Sequence, residues 1–380
     1  MGVLTAIAPI SIDMYLPAFP AIAAGLGVPR GEVERTLAVY LGGLALAQLV
    51  YGPLADRFGR KLPVLCGLAL YCVAVLGCAL APNIQILMLC RLLQALGGSV
   101  GLVVPRAVIR DHYNTQDAAR ALSLVMLVMG LAPILAPIIG GQVLLLTSWR
   151  GMFWLMEAYG LALLAATALA MRESLLPERR IPLRPSLIAS NYLGLLSHRR
   201  FMAHSLAGGM GQAGMFTYIL GSPRVFIEIY GVPTQYYGLL FGLNAAALIC
   251  GAQVSARLLR RHTSLALQGR ALVTLALAGL LALALTLAGV MNLWLLMLCL
   301  LGFMASQGFV NPNSVALALA EQGHRLGASS ALLGTLQFLC GALAGLAVSL
   351  WQTQSPLPLV TVMACCACLG WLSGRVARLD

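Results

Sequence analysis

The decapeptide GPLADRFGRK, residues 52–61, sets one acid and three cations between the mainly apolar runs 33–54 and 63–81, whose only charges are Glu34 and Arg35 near the far end of the first. Each run has about the 20 residues that an α-helix needs to cross a hydrocarbon core about 30 Å thick. A charged stretch this short reads as the loop joining two membrane helices. In it Gly52 would allow close helix approach and Gly59 a tight turn, while Asp56 beside Arg57, Arg60 and Lys61 can make interhelical charge contacts.

The pattern repeats outward in both directions. Apolar runs at 2–25, 33–54, 63–81, 84–106, 119–146, 151–171, 202–223, 236–256, 264–288, 291–318, 326–350 and 356–374 make twelve expected spans. Of 380 residues, 60% are hydrophobic and 9% charged, against about a quarter charged in ordinary soluble domains. Little chain remains for an aqueous domain. The one long polar interruption, 172–200, holds six arginines, two glutamates and three prolines. The expected organisation is a six-helix bundle over 1–171, a cytoplasmic linker over 172–200 and a second six-helix bundle over 201–380. That is an all-α membrane protein with twelve transmembrane helices around a central cavity. GAQVSARLLRR, residues 251–261, stands where GPLADRFGRK stands in the first half, a weak echo of duplication. The chain is apolar from Gly2, which reads as a first membrane helix and not as a cleaved leader.

With the N-terminus in the cytoplasm, nineteen of the 24 Lys and Arg fall on cytoplasmic loops and four, Arg30, Arg35, Arg150 and Arg224, fall outside. This asymmetry puts both termini on the cytoplasmic side. It also accounts for the net charge of +12 without a nucleic-acid partner. The ten cysteines lie in apolar runs, and the five histidines are scattered. Neither a disulfide framework, a metal, a cofactor nor an enzyme's catalytic cluster is expected.

An ionised side chain at bilayer depth costs about 2.5–3.5 kcal/mol, so those present are functional candidates. Asp13, Arg91 and Glu157 qualify. Asp13 lies roughly 17 Å and Arg91 roughly 11 Å along their helices at about 1.5 Å per residue, which gives them comparable depths. Pro9, Pro17 and Pro20 each delete a backbone donor around Asp13, so this helix is expected to kink beside its acid. Arg91 heads a face with Gln94, Gly98 and Pro105. Asp13 and Arg91 are expected to couple proton movement, with a static buried ion pair as the competing reading. Glu157 is expected to snorkel or to pair with Arg150, with a second proton site as the competing reading. Tyr15, Gln94, Gln212, Asn244, Gln307, Asn311 and Gln337 are the expected substrate-cavity residues, hydrogen-bonding groups among apolar ones. The polar groups of the second half can equally serve as packing contacts between helices.

The full tract 52–61 resembles the helix 2–3 signature GxLaDrxGrk of the major facilitator superfamily. RLLQALGG from Arg91 resembles the helix 4 signature RxxQGxG, with Ala95 in place of the usual Gly. APILAPIIGG, residues 132–141, resembles the antiporter signature GxxxGPxxGG of helix 5, with Ala132 and Ala136 in place of glycines. With SIDMYLPAFPAIA and ESLLPERR, these tracts are similar to the bicyclomycin-resistance (Bcr/CflA) drug exporters. The resemblance implies the major facilitator fold, a proton-linked Arg91, and conformational gating by Gly52, Asp56, Arg57, Gly59, Arg60, Lys61, Pro133, Pro137, Gly140 and Gly141. It further implies a monomeric, multi-pass protein in the lipid bilayer of a bacterial inner membrane, exchanging protons for small drugs of bicyclomycin, chloramphenicol or sulfonamide type. The alternative is a proton-coupled metabolite carrier, exporting cysteine-like amino acids or importing its substrate. Two departures stand out: the chain starts on its first helix without the family's short basic stub, and the second-half motifs are loose, so substrate identity does not carry over.

Overall fold

The structure, a computed structural model, describes residues 1–112, 115–176, 178, 180, 185–351 and 353–377. All regular structure among them is helical. The chain divides into two compact units, Met1–Ile188 and Ala189–Asp380.

In the first unit the opening span is built from short pieces: α1 (Gly2–Thr5), α2 (Ile7–Asp13), a 3-10 turn at Leu16–Ala18, and α3 (Phe19–Leu26). The prolines are the cause. Pro9 removes the N–H that would serve the Thr5 carbonyl, and Pro17 removes the one for Asp13. Then come α4 (Arg30–Phe58), α5 (Lys61–Leu80), α6 (Ile84–Gly98) running on into α7 (Val100–His112), α8 (Thr115–Leu146) and α9 (Arg150–Ala170). Asn83 starts α6 by accepting the Ile86 N–H at 3.0 Å.

Inside 172–200 a helix forms, α10 (Pro185–Leu196). The second unit continues with α11 (Arg199–Pro223), α12 (Thr234–Leu258), α13 (Ser264–Leu287), α14 (Leu293–Leu319), α15 (Leu326–Leu350) and α16 (Leu357–Val376). Eleven helical stretches among the described residues are long and apolar enough to cross a membrane. The remaining expected span, 202–223, is a helix of ample length but falls short in apolarity because α11 carries His204, Ser205, Gln212 and five glycines. Its position explains the composition. α11 is buried along most of its length and packs against α14, α15 and α16, and Gly208, Gly211 and Gly214 turn one face to Ser314, Gln307 and Phe303 of α14. A helix walled by other helices gains more from small residues that admit its neighbours than from lipid-soluble ones.

Candidate functional site

Arg91 is wholly buried, and no carboxylate among the described residues pairs with it. Its Nη1 donates to Gln94 Oε1 at 2.7 Å and its Nη2 to the Ser11 carbonyl at 3.0 Å. That carbonyl is free because α2 stops at Asp13, so no N–H four residues on takes it. The guanidinium lies 4.4 Å from the Tyr15 ring centre and 4.3 Å from that of Tyr40, contacts worth about 2 kcal/mol when desolvated. The cage is itself braced: Tyr15 and Thr36 hydroxyls meet at 2.9 Å, and so do those of Ser11 and Tyr71. Gln94 Nε2 donates to Ser11 Oγ at 3.4 Å and to the Met156 sulfur at 3.7 Å. Of the expected cavity residues, Tyr15 and Gln94 therefore lie in the interior of the first unit, around the arginine.

Asp13 is 3% exposed and forms neither a hydrogen bond nor an ion pair, with Arg91 or with any other of the described residues. Neither of its oxygens is fully sealed off. The acid and the cation thus occupy one interior without neutralising each other. Gly140 of α8 sets the position of Asp13: a Cβ there would run into the carbonyl of Met14, the next residue. Gly141 and Pro137 are also buried on α8, and Pro133 is half-buried.

The tract 52–61, the end of α4, the connecting Gly59 and Arg60 and the start of α5, forms a clamp inside the first unit. Arg60, 4% exposed, donates from Nη1 to Asp56 at 2.7 Å and from Nε to Asp111 of α7 at 2.9 Å. The Glu173 carboxylate, just beyond α9, accepts the N–H groups of Arg60 (2.8 Å), Lys61 (3.1 Å), Ser174 (2.9 Å) and Leu175 (3.0 Å). Lys61 Nζ closes the same end by donating to the Ala168 carbonyl at 2.9 Å. Gly59 is required twice over, with φ at +92° and the Glu173 carboxylate against its Cα. Arg57 points into the exposed surroundings. Gly52 departs from expectation: a side chain there would meet no atom within 4 Å, so it supports no close helix contact in this conformation.

Partial burial pushes the Glu173 carboxyl up, but its four backbone donors outweigh that and hold it below the usual glutamate value. A group depressed on folding contributes stability above its unfolded value, about 4.3, and loses it as pH falls through the lower folded value. The Arg60 and Lys61 amides should therefore stay protected from hydrogen exchange at neutral pH and lose protection below about pH 4.3. Glu173→Gln should lack that acid-dependent step, and an identical pH profile would show that the cap is not formed.

Glu157 corrects the sequence reading. It does not pair with Arg150, which donates to the Ala81 carbonyl at 3.0 Å and lies 4.1 Å over the Trp149 ring. Nor does it snorkel: it is 9% exposed, and its Oε2 has no partner. In the second unit, Gln307 Nε2 donates to half-buried Gln212 at 3.3 Å and Gln337 Nε2 to Asn311 at 2.9 Å. Asn244, fully buried, donates to the Leu240 carbonyl at 3.1 Å and the Met297 sulfur at 3.6 Å. No buried carboxylate, Arg or Lys is found among the described residues of this unit.

Sequence reading missed Ser11, Thr36, Tyr40 and Tyr71 around Arg91, and Asp111 and Glu173 around Arg60. Thr36 and Tyr40, four apart on one face of an apolar helix, carry a usable signal. Asp111 and Glu173 stand 51 and 113 residues from Arg60 and carry none.

The sequence profile of the Major Facilitator Superfamily matches residues 1–345. The chain is 35% identical over 375 residues to the uncharacterized MFS-type transporter YdgK of Bacillus subtilis, covering 98% of this chain and 93% of the relative. It is 28% identical over 373 residues to a bicyclomycin resistance protein homolog of Haemophilus influenzae, covering 98% and 94%. The multidrug resistance protein MdtL of Escherichia coli is 32% identical over 62% of this chain and 60% of its own length. Among solved structures, a bacterial homolog of the human lysosomal transporter Spinster superposes with a TM-score of 0.73 at 16% identity, covering 100% of this chain and 97% of that one. The D-xylose-proton symporter gives 0.73 at 13% identity, covering 99% and 95%. Apolar spans, charged 52–61 turn, profile and whole-length structural likeness agree: the chain belongs to the major facilitator superfamily and is a multi-pass membrane transporter.

Proposed function

We propose that this transporter exports small amphipathic drugs in exchange for protons across a bacterial inner membrane, with Asp13 as the proton carrier and both termini in the cytoplasm. The observation that carries the reading is the separation of Asp13 from Arg91 within one interior. Arg91 has a resting place on Tyr15, Tyr40 and the Ser11 carbonyl, so the acid is left without a counter-charge. With Arg91 caged, neutral Asp13 avoids the cost of an isolated buried charge. When cargo enters and the proton leaves, Arg91 can swing to the carboxylate and neutralise it. Each proton exchanged for cargo is worth about 2.3 kcal/mol per 100 mV, a gradient of about 50-fold. The names of the bicyclomycin resistance and multidrug resistance relatives support drugs as the cargo class.

Everted membrane vesicles acidified inside and followed with a pH-sensitive dye test this against a panel of bicyclomycin, chloramphenicol, sulfonamides and cysteine. Drug addition should release protons from the lumen. A response to cysteine alone would assign a metabolite exporter, and cargo moving with the protons would assign a symporter. Arg91→Lys should slow drug-driven proton release by roughly tenfold or more, because an ammonium cannot fork to Gln94 and Ser11 while facing two rings. An unchanged rate at equal expression would contradict the caged arginine.

A further inference from the structure

The strongest feature outside the Asp13–Arg91 site is Glu157. It sits on the buried face of α9 turned to α5, where Gly160, three residues on, packs against Tyr71 and Cys72. It is nine-tenths buried, and Oε2 has no donor near it. The helices packed on α9 are α5, α8 and α2. From α5 the titratable neighbours are Tyr71, engaged with Ser11, and the Cys72 thiol. From α2 it is Asp13; α8 has no titratable side chain over 124–146. On α9 itself, Arg150 is turned to Ala81 and Tyr159 donates to the Val3 carbonyl. The buried Arg91 is engaged with Gln94. An ionised carboxylate in such surroundings has neither a counter-charge nor a hydrogen-bond donor, and the neutral acid is the form that fits.

We propose that Glu157 is a second proton-binding site, which holds a proton in this conformation and gives it up when α5 and α9 shift apart. Its link to transport rests on the proton-exchange reading above. The adjoining residues on both helices support that link. Met156 receives Gln94, which also holds Arg91 and Ser11, and the Tyr71 hydroxyl donates to that of Ser11, whose own proton goes to the Ile7 carbonyl. The same helix pair ends at the charged clamp, through Lys61 on Ala168 and Glu173 on the start of α5. Gly160 brings α9 close against Tyr71 and Cys72 of α5, so a donor for Oε2 would have to enter between these two helices.

Dicyclohexylcarbodiimide, a lipid-soluble reagent selective for protonated carboxyls, provides the test on the full chain in lipid nanodiscs at neutral pH. Peptide mass spectrometry should find the adduct on Glu157 of the unaltered protein, without relying on a variant. In vesicles, Glu157→Gln should still export, but its steady cargo gradient should fall to about the square root of the unaltered value, as loss of one of two exchanged protons requires. An unlabelled Glu157, or a labelled Glu157 whose Gln variant holds the full gradient, would overturn the proposal and leave Asp13 untouched. A gradient that survives Asp13→Asn but drops in Glu157→Gln would instead sink the Asp13 reading and keep this one.

Discussion

In the Asp13→Asn chain, the cargo gradient sustained by a proton-motive force, about 50-fold per 100 mV for one proton, collapses to none while the protein still folds. Both halves of this expectation come from the geometry. Asp13 forms no hydrogen bond and no ion pair, so the isosteric amide breaks no contact. An amide cannot take up or release the proton that cargo displaces, so proton return through Glu157 alone is no longer tied to cargo and cargo movement loses its drive. Melting of the purified variant should stay close to that of the unaltered protein, because no partner is lost. A persisting gradient, or a variant that fails to fold, would contradict the account.

The second large effect lies at Gly140. Its absent side chain faces the Met14 carbonyl, a backbone atom that cannot rotate away. Gly140→Ala therefore has to push α8 off the first span, at a cost of about 1–3 kcal/mol for overpacking. It would also displace the segment that carries Ser11, Asp13 and Tyr15, so transport should fall along with stability. Gly140→Leu should not accumulate as folded protein. Gly52→Ala is the control, because its surroundings are open, and it should be as stable as the parent or up to about 1 kcal/mol more so, Ala being the better helix former inside α4. Thermal melting in detergent checks the set, and Gly140→Ala melting with the parent at full activity would remove the close approach from the explanation.

The features legible in the sequence were those written in local chemistry. Twelve spans follow from apolar runs, and the broken first span follows from Pro9 and Pro17, whose missing donors act on carbonyls one turn away. The turn at Gly59 was legible for the same reason. α11 shows where hydropathy weakens as a guide: its partners are other helices, so lipid solubility no longer sets its composition. The surroundings of Arg91 were only half legible. Gln94 lies one turn along the same helix, but Tyr15 and Tyr40 reach it through ring faces, which impose no spacing on the sequence. For Glu157, closeness along α9 misled, because Arg150 finds a carbonyl and an indole ring at the helix end in preference to the acid. Arg60 has Asp56 one turn away, but Asp111 and Glu173 come from helix ends far along the chain, which only folding brings together.

The most direct measurement is the proton count on cargo binding to purified protein in weakly buffered detergent. Adding an exported drug should acidify the solution around the unaltered chain and leave the pH unchanged around Asp13→Asn at equal drug occupancy. Equal acidification by both would mean that the exchanged proton does not reside on Asp13.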